Sequence, residues 1–442
     1  MGDMHGMVIT HTSPPVIRPG NSPGTKPELY HFLVAVLVLC LVMDLGIVLG
    51  SNGRIKILAA CRAGIRVSVV RGWILTEPTL TGTVVPSRTT DLTSTEEVQK
   101  VIRIYFPRSF EELEDYGFIL LACVDMDFFT VRQATWMYRA MTESGLGGMN
   151  TRSVHSMSTA WSGPWMNSIL SDAFPNDVPA VVNSAHYRAE TFAIGPLVVN
   201  DRDGIPPIVL PFRESVEGRI LINGVLTVPR PGSTVYTWVR SDLKDSGDMM
   251  PGYIPHLFSW FYQNATTFTA MDRIMEDFWT NRGHLFSMDI VSNLIWYSVG
   301  RELPQNPYEL HALRELFRQY TYAKPSLVSM LDFAENFGTN TRNIYSQLRA
   351  IEDLKARADQ DYLEGEFASS NDRMKSLLDE LGELEIEAIR LKNSALAWVF
   401  LIEWLSVSAT MLTCGAVLWQ LMVKRGAYRD VSMTRLSPQD DS

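Results

Sequence analysis

Ser109-Phe-Glu-Glu-Leu-Glu-Asp-Tyr-Gly-Phe118-Ile-Leu-Leu-Ala-Cys-Val124, with Thr130-Val-Arg-Gln133 and Trp136-Met-Tyr-Arg-Ala-Met141 just after it, carries the pattern that decides the fold. Ser109 with Glu112, and Thr130 with Gln133, are capping boxes: the hydroxyl takes an amide of the first turn, and the side chain three residues on reaches back. Between them Phe118 to Val124 is a short apolar run between Gly117 and Asp125, the mark of a buried strand. Helix and strand alternating at this spacing predict a parallel sheet covered on both faces.

The pattern extends both ways. Upstream, Arg66-Val-Ser-Val-Val70 alternates and reads as a first strand, Ser94-Thr-Glu-Glu97 is a third capping box, and Val101 to Phe106 reads as a short strand. Downstream, Ser144-Gly145 ends a helix with a glycine suited to the left-handed cap, and Leu146 to Asn150 reads as another strand. Pro206 to Pro211, Ile220 to Asn223 and Ser233 to Val239 look like further strands, and Leu285 to Asp289 like one more before a helix at Ile290 to Val299. The α/β domain is expected over residues 60–300.

Past Pro304 the reading is helical over 305–393: Tyr308 to Tyr320, Pro325 to Phe337, Asn340 to Leu363 and Phe367 to Leu391. Met374, Leu377, Leu381, Leu384, Ala388 and Leu391 step by three and four, a heptad seam continued by Ala395 and Trp398. A seam needs a partner helix. Gly365 and Ser369 to Asp372 offer a hinge, so the partner is either the preceding arm folded back or a second copy of the chain in a homodimer.

Two apolar stretches bracket the chain, 31–50 and 394–423, each long enough for a helix of roughly 20 residues to cross a bilayer. Residues 1–30 and 424–442 become tails on one side, with everything between the spans on the other. Tyr30, Trp398, Trp404 and Trp419 suit the headgroup level. The first stretch reads as an uncleaved signal-anchor, its leader and apolar run both being too long for an ordinary signal peptide. Charge signals disagree: Lys424, Arg425, Arg429 and Arg435 argue for a cytoplasmic tail, while Arg54, Lys56, Arg62 and Arg66 argue for a cytoplasmic middle. Because folded domains translocate largely regardless of charge, a plasma-membrane protein with an extracytoplasmic middle is expected, with the lipid bilayer as its first partner. Asn264-Ala-Thr266 is a sequon that reports on that topology.

The 442 residues are 46% hydrophobic and 10% aromatic, enough for one or two cores. Of the net charge of -10, Glu352 to Glu387 supplies twelve acids against four bases. The rest is nearly neutral, which gives no reason to expect a nucleic-acid partner. Cysteine spacing shows neither a metal site nor a disulfide framework, and no cofactor is implied.

The segment from Phe106 to Leu121, the Gln133 to Met141 helix with Gly145-Leu-Gly-Gly148 behind it, and Ala397-Trp-Val-Phe-Leu-Ile-Glu-Trp-Leu405 resemble the class I glutamine-amidotransferase-like fold as carried by uncharacterised, membrane-anchored archaeal proteins. The resemblance implies a flavodoxin-like sheet. In active members a cysteine sits on a glycine-flanked strand-to-helix elbow beside amides that stabilise an oxyanion. The matching Gly148-Met149-Asn150-Thr151 has no cysteine, and a thioether cannot replace a thiolate. The expected role is therefore a non-catalytic binding, sensing or scaffolding component of the cell envelope.

The competing reading is a membrane-tethered hydrolase or amidotransferase with Cys123 as nucleophile, His155 as base and Asp125 or Asp127 as orienter. Against it, Cys123 also fits as a small core residue and the aspartates as helix caps. Asp125, Asp127, Asn150, Arg152 and His155 are the candidate lining of a ligand pocket at the strand ends. Asp44 and Glu403 lie six and nine residues from the domain-side ends of their spans, so they either meet in the membrane, face a partner membrane protein, or snorkel separately.

Overall fold

The computed structural model describes residues 53–61, 69–86, 94–122, 124, 126–151, 168–177, 192–225, 228–241, 252–274, 277–280 and 282–434. The apolar stretch 31–50, with Asp44, lies outside them. The chain enters the fold in β1 (Ile55–Cys61), buried on both faces except for half-buried Lys56. Arg66 to Val70 is corrected in its described part: Val69 and Val70 open α1 (Val69–Thr76), where Val70 and Trp73 turn inward one helical turn apart. A five-residue window with two adjacent valines fits a turn of helix as well as a strand. After β2 (Leu80–Pro86), α2 (Thr95–Tyr105) starts at the Ser94 box, with Ser94 Oγ accepting from Glu97 N at 3.3 Å and Glu97 Oε2 accepting from Ser94 N at 3.0 Å. It continues through the expected strand at Val101 to Phe106, because Val98 and Ile102 sit four apart on its buried face.

Next comes α3 (Phe110–Glu114), where Ser109 caps Glu112 but the Glu112 carboxylate takes the amide of Arg108, one residue farther back than a capping box requires. Then follow β3 (Phe118–Ala122), buried throughout, α4 (Val131–Thr142) from the complete Thr130–Gln133 box, and β4 (Gly147–Thr151).

Beyond β4 lie β5 (Asn176–Asp177), β6 (Phe192–Val199), β7 (Leu221–Val225), β8 (Val228–Pro229), β9 (Thr234–Ser241), β10 (Gly252–Tyr262) and β11 (Ala265–Ala270). Pro206 to Pro211 is not a strand; three prolines without amides make a turn that runs into a single 3-10 turn at Leu210–Phe212. The expected strand at Leu285 to Asp289 is the entry to a helix, α5 (Ser287–Ser298).

Nine of these strands form one sheet in the order β2-β1-β3-β4-β11-β10-β9-β6-β7. The first five are mutually parallel and the remaining ladders antiparallel. The purely parallel sheet expected from the sequence is thus corrected to a mixed one. Its layers follow from strand alternation: Ile57, Ala59, Phe118, Leu120 and Phe268 pack beneath α1 and α5, while Leu58, Ala60, Ile119 and Leu121 pack beneath α2 and α4.

The helical region is a three-helix bundle of α6 (Pro307–Asn336), α7 (Arg342–Glu364) and α8 (Phe367–Thr434). The two helices expected either side of Pro325 are one. Pro325 is exposed, and fully buried Leu327 and Leu331 hold the following turns in place. Gly365 closes α7 at φ 86°, with Glu366 N donating to Asp361 O at 2.8 Å and Gly365 N to Tyr362 O at 3.2 Å, a Schellman ending. The seam residues Met374, Leu377, Leu381, Leu384, Ala388 and Ala395 are buried within this one chain against α6 and α7. From Phe400 to Tyr428 every residue of α8 is exposed. Among the described residues α8 is the one helix long and apolar enough to cross a membrane, with mean hydropathy 1.7 over its most apolar window.

Candidate functional site

Cys123, Asp125, Arg152 and His155 lie outside the described residues, as does the side chain of Asp127. Asn150 is described, and its polar atoms are engaged. It sits fully buried on β4 opposite Thr269 of β11, its Nδ2 donating to Asn176 Oδ1 at 3.1 Å and its Oδ1 accepting from Thr269 Oγ1 at 2.6 Å. Thr267 Oγ1 likewise donates to Ala173 O at 2.7 Å, so these polar groups pin residues 168–177 to the strand ends. Gly148 to Thr151 is extended strand, without the turn that an elbow requires. Glu403 is exposed on the bare part of α8. Asn264 is exposed in the two-residue turn between β10 and β11, its Nδ2 donating to Glu143 O at 3.4 Å.

Among the described residues, a cluster of buried charge lies elsewhere, where the bundle meets the sheet layer. On α6, His311 and Arg314 are one turn apart and share a face. Asp289, in the first turn of α5, holds both: its Oδ2 is 2.7 Å from His311 Nδ1 and its Oδ1 is 2.8 Å from Arg314 Nη1. Arg314 Nε donates to Glu77 Oε2 at 2.6 Å and to the Tyr362 hydroxyl of α7 at 3.1 Å. Glu77 also accepts from Thr79 Oγ1 at 2.8 Å and Ser292 Oγ at 3.2 Å, and Trp296 Nε1 donates to Thr79 Oγ1 at 3.0 Å. One guanidinium thereby joins α1's exit, α5, α6 and α7.

Glu77, Asp289 and Arg314 are 0%, 1% and 4% exposed, so this is an interior ion cluster where unpaired charge is expensive. Burial works against the Arg314 charge, but the carboxylates of Glu77 and Asp289 and the Tyr362 hydroxyl outweigh it and hold its pKa above the ordinary arginine value. Burial pushes Tyr362 well above the ordinary phenol value, so it stays a neutral hydroxyl. Arg314 Nη2 is buried without a hydrogen-bond partner among the described residues.

A cleft of about 800 Å³ opens over this cluster. Its lining includes Trp73, Leu75, Trp279, Met288 and Tyr322 as apolar wall, His311 and Arg314 from the cluster, and Arg71 and Arg282 nearer solvent. Glu315, also in the wall, is paired with Arg318. Such a volume suits a small ligand, and apolar walls around a few converging polar groups are what recognition needs. Behind Trp279 lies a second buried set: Thr237 Oγ1 and His256 Nδ1 at 2.8 Å, Trp279 Nε1 donating to Asp272 Oδ1 at 2.8 Å, and His256 Nε2 lying 3.1 Å from Asp272 Oδ2 without a hydrogen bond between them. It has the order hydroxyl, imidazole, carboxylate, but all three are 0% exposed, so it ties β9 and β10 to the segment after β11.

Sequence reasoning missed the cluster because Glu77 and Arg314 are 237 residues apart. One signal was available: Arg314 falls within the apolar stripe of Leu310, Leu313, Phe317 and Tyr320, where a charge demands a partner.

No protein-family model matches the chain, and neither does any curated protein. Among solved structures, a cytoplasmic protein of Salmonella typhimurium LT2 is similar at 12% identity and a TM-score of 0.39, over 55% of this chain and 99% of its own.

Proposed function

We propose that the protein is a membrane-anchored binding or sensing component: a non-catalytic α/β head, amidotransferase-like in its parallel half, on a helical stalk whose last helix enters the bilayer. The observation that carries this reading is the continuity of α8. Its residues 374–395 are locked into the bundle by the seam, and the same helix runs on into a bare apolar segment ending at Lys424 and Arg425. An exposed apolar helix of this length is tolerated in lipid and costly in water. The flavodoxin-like assignment is supported by the order β2-β1-β3-β4-β11, in which β1 sends its successors to opposite sides and so makes a switch point. Lys424 and Arg425 favour a cytoplasmic C-terminal tail and an extracytoplasmic head, with residues 31–50 as a second span.

Two of the opposing charges belong to the head itself: Arg54 bonds Asp359 at 3.1 Å, and Lys56 lies 4.3 Å from the centre of the Tyr116 ring. Alkaline carbonate extraction of membranes tests the anchor. The chain should stay with the membrane, and Met411→Arg with Leu412→Arg, each costing about 3 kcal/mol at mid-bilayer, should weaken retention. Release of the unmodified chain by carbonate overturns the reading. Protease added to intact cells should cut the head, and full protection reverses the topology.

A further inference from the structure

We infer that the cleft over the Asp289–His311–Arg314 cluster binds a small, water-soluble organic anion, its charged group set among Arg71, Arg282 and His311 and its apolar body against Leu75, Met288 and Tyr322.

Most charged groups in the lining already have partners. Of the acids in the lining, Asp289 is held by Arg314 and His311, and Glu315 by Arg318, which leaves exposed Asp277. Of the bases, Arg71 and Arg282 are exposed and have no ion pair or hydrogen bond among the described residues, unlike Arg314 and Arg318 in the same wall. Two uncommitted guanidiniums suit carboxylate or phosphate, which they can bind through paired N–H donors.

His311 supports the same choice. Asp289 takes its Nδ1 at 2.7 Å and so fixes the ring, leaving Nε2 as the nitrogen without a carboxylate on a side chain that is 17% exposed. A separate observation comes from Arg314, whose Nη2 is a buried donor left without an acceptor on a residue that is 4% exposed and lines the cleft.

The apolar part of the ligand follows from the wall. Leu75 is 56% and Tyr322 65% exposed beside the arginines, so an inorganic ion alone would leave them wet.

Distance argues for a soluble ligand over a lipid headgroup. Tyr362, bonded to Arg314, packs its ring 5.3 Å from that of Phe367 at the start of α8, so the cluster stands level with that end of the helix. From Phe367 to Trp398, at 1.5 Å per residue, is about 45 Å along the axis. This step rests on the proposed anchor; the binding chemistry does not.

The test is calorimetric titration of the full chain in phosphatidylcholine nanodiscs with phenyl phosphate, inorganic phosphate and benzyl alcohol. Phenyl phosphate should bind one-to-one and at least about tenfold more tightly than either companion, since only it has both anion and ring. Arg71→Gln with Arg282→Gln, both on exposed positions, should weaken it about tenfold or more with no change in thermal unfolding. Adding phosphatidylglycerol to the discs should leave its affinity unchanged. The inference is overturned by unchanged affinity in the double variant, by benzyl alcohol binding as well as phenyl phosphate, or by no binding of phenyl phosphate. Competition from phosphatidylglycerol overturns the soluble ligand. Carbonate release of the chain would defeat the anchor reading while leaving arginine-dependent binding intact, so the two failures are distinguishable.

Discussion

Replacing Arg314 with methionine tests whether the buried cluster fastens the bundle to the head. The substitution keeps most of the side chain's apolar stem but removes the one cation between Glu77 and Asp289, which are 0% and 1% exposed. Glu77 would retain Thr79 and Ser292, and Asp289 would retain His311, yet neither would keep its arginine. Removing one partner of a buried ion pair costs about 3–5 kcal/mol. At about 2–4 °C per kcal/mol, the melting temperature at neutral pH should fall by about 6–20 °C.

The pH dependence has a defined sign. Without the guanidinium the interior carboxylate charge has no matching cation, and acid relieves that excess negative charge in the folded variant. The gap between Arg314→Met and the parent should therefore narrow between pH 7 and pH 5, and adding Glu77→Gln and Asp289→Asn should recover most of it at pH 7. Differential scanning fluorimetry of the detergent-solubilised chain reads all three quantities. A melting temperature within about 2 °C of the parent, or a gap that widens on acidification, would refute the reasoning.

Thr130→Ala removes the hydroxyl that accepts from Gln133 N at 3.2 Å and should cost about 1 kcal/mol in denaturant unfolding, with Thr130→Ser restoring it. Leu381→Ala, at a seam position 2% exposed, should cost about 2–5 kcal/mol and speed amide exchange across residues 342–395 before it affects β1 and β3. Burial holds the His284 pKa below 6.5 in the fold, so the unfolded chain binds the proton first and stability is lost as pH falls from about 6.5 toward the lower folded value. His284→Gln should flatten that slope in midpoint-against-pH measurements, and an unchanged slope would assign the loss to other groups.

Features written in a few adjacent residues were legible. All three N-caps lie where Ser94, Ser109 and Thr130 placed them, and the buried run at Phe118 is a strand, because the chemistry is complete within four to seven positions. In the antiparallel half β7 and β9 were legible at Ile220 to Asn223 and Ser233 to Val239, while β6, β10 and β11 were not. In β10 the ladder shifts register between Pro255 and Leu257, which breaks the simple alternation by which a strand is recognised.

Arg54 and Lys56 read in the sequence only as charges following an apolar stretch, because the groups they meet, Asp359 and the Tyr116 ring, lie far along the chain. Within the acidic run from Glu352 to Glu387, part of the charge is met by partners: Asp359 pairs with Arg54 and Lys355, Asp361 with Arg373, and Glu352 with Lys324. The ion cluster was invisible for the same reason on a larger scale, since its acids and its base come from three separate segments.

The pairing of β4 with β11 also sets an order on how the molecule can be made. Asn150 and Thr269 are neighbours in register but 119 residues apart in the chain. Closing a loop of that length costs about 1.6 kcal/mol more entropy than a 20-residue crossover would. The fifth parallel strand is thus the last to be synthesised and the most expensive to dock. A ribosome that has passed β4 holds four parallel strands with an open edge, and nothing made before residue 265 can pair with that edge as β11 does. Shortening the excursion between the two strands is therefore a route to faster folding, while cutting the gene between β4 and β11 should yield two pieces that each expose half of one ladder.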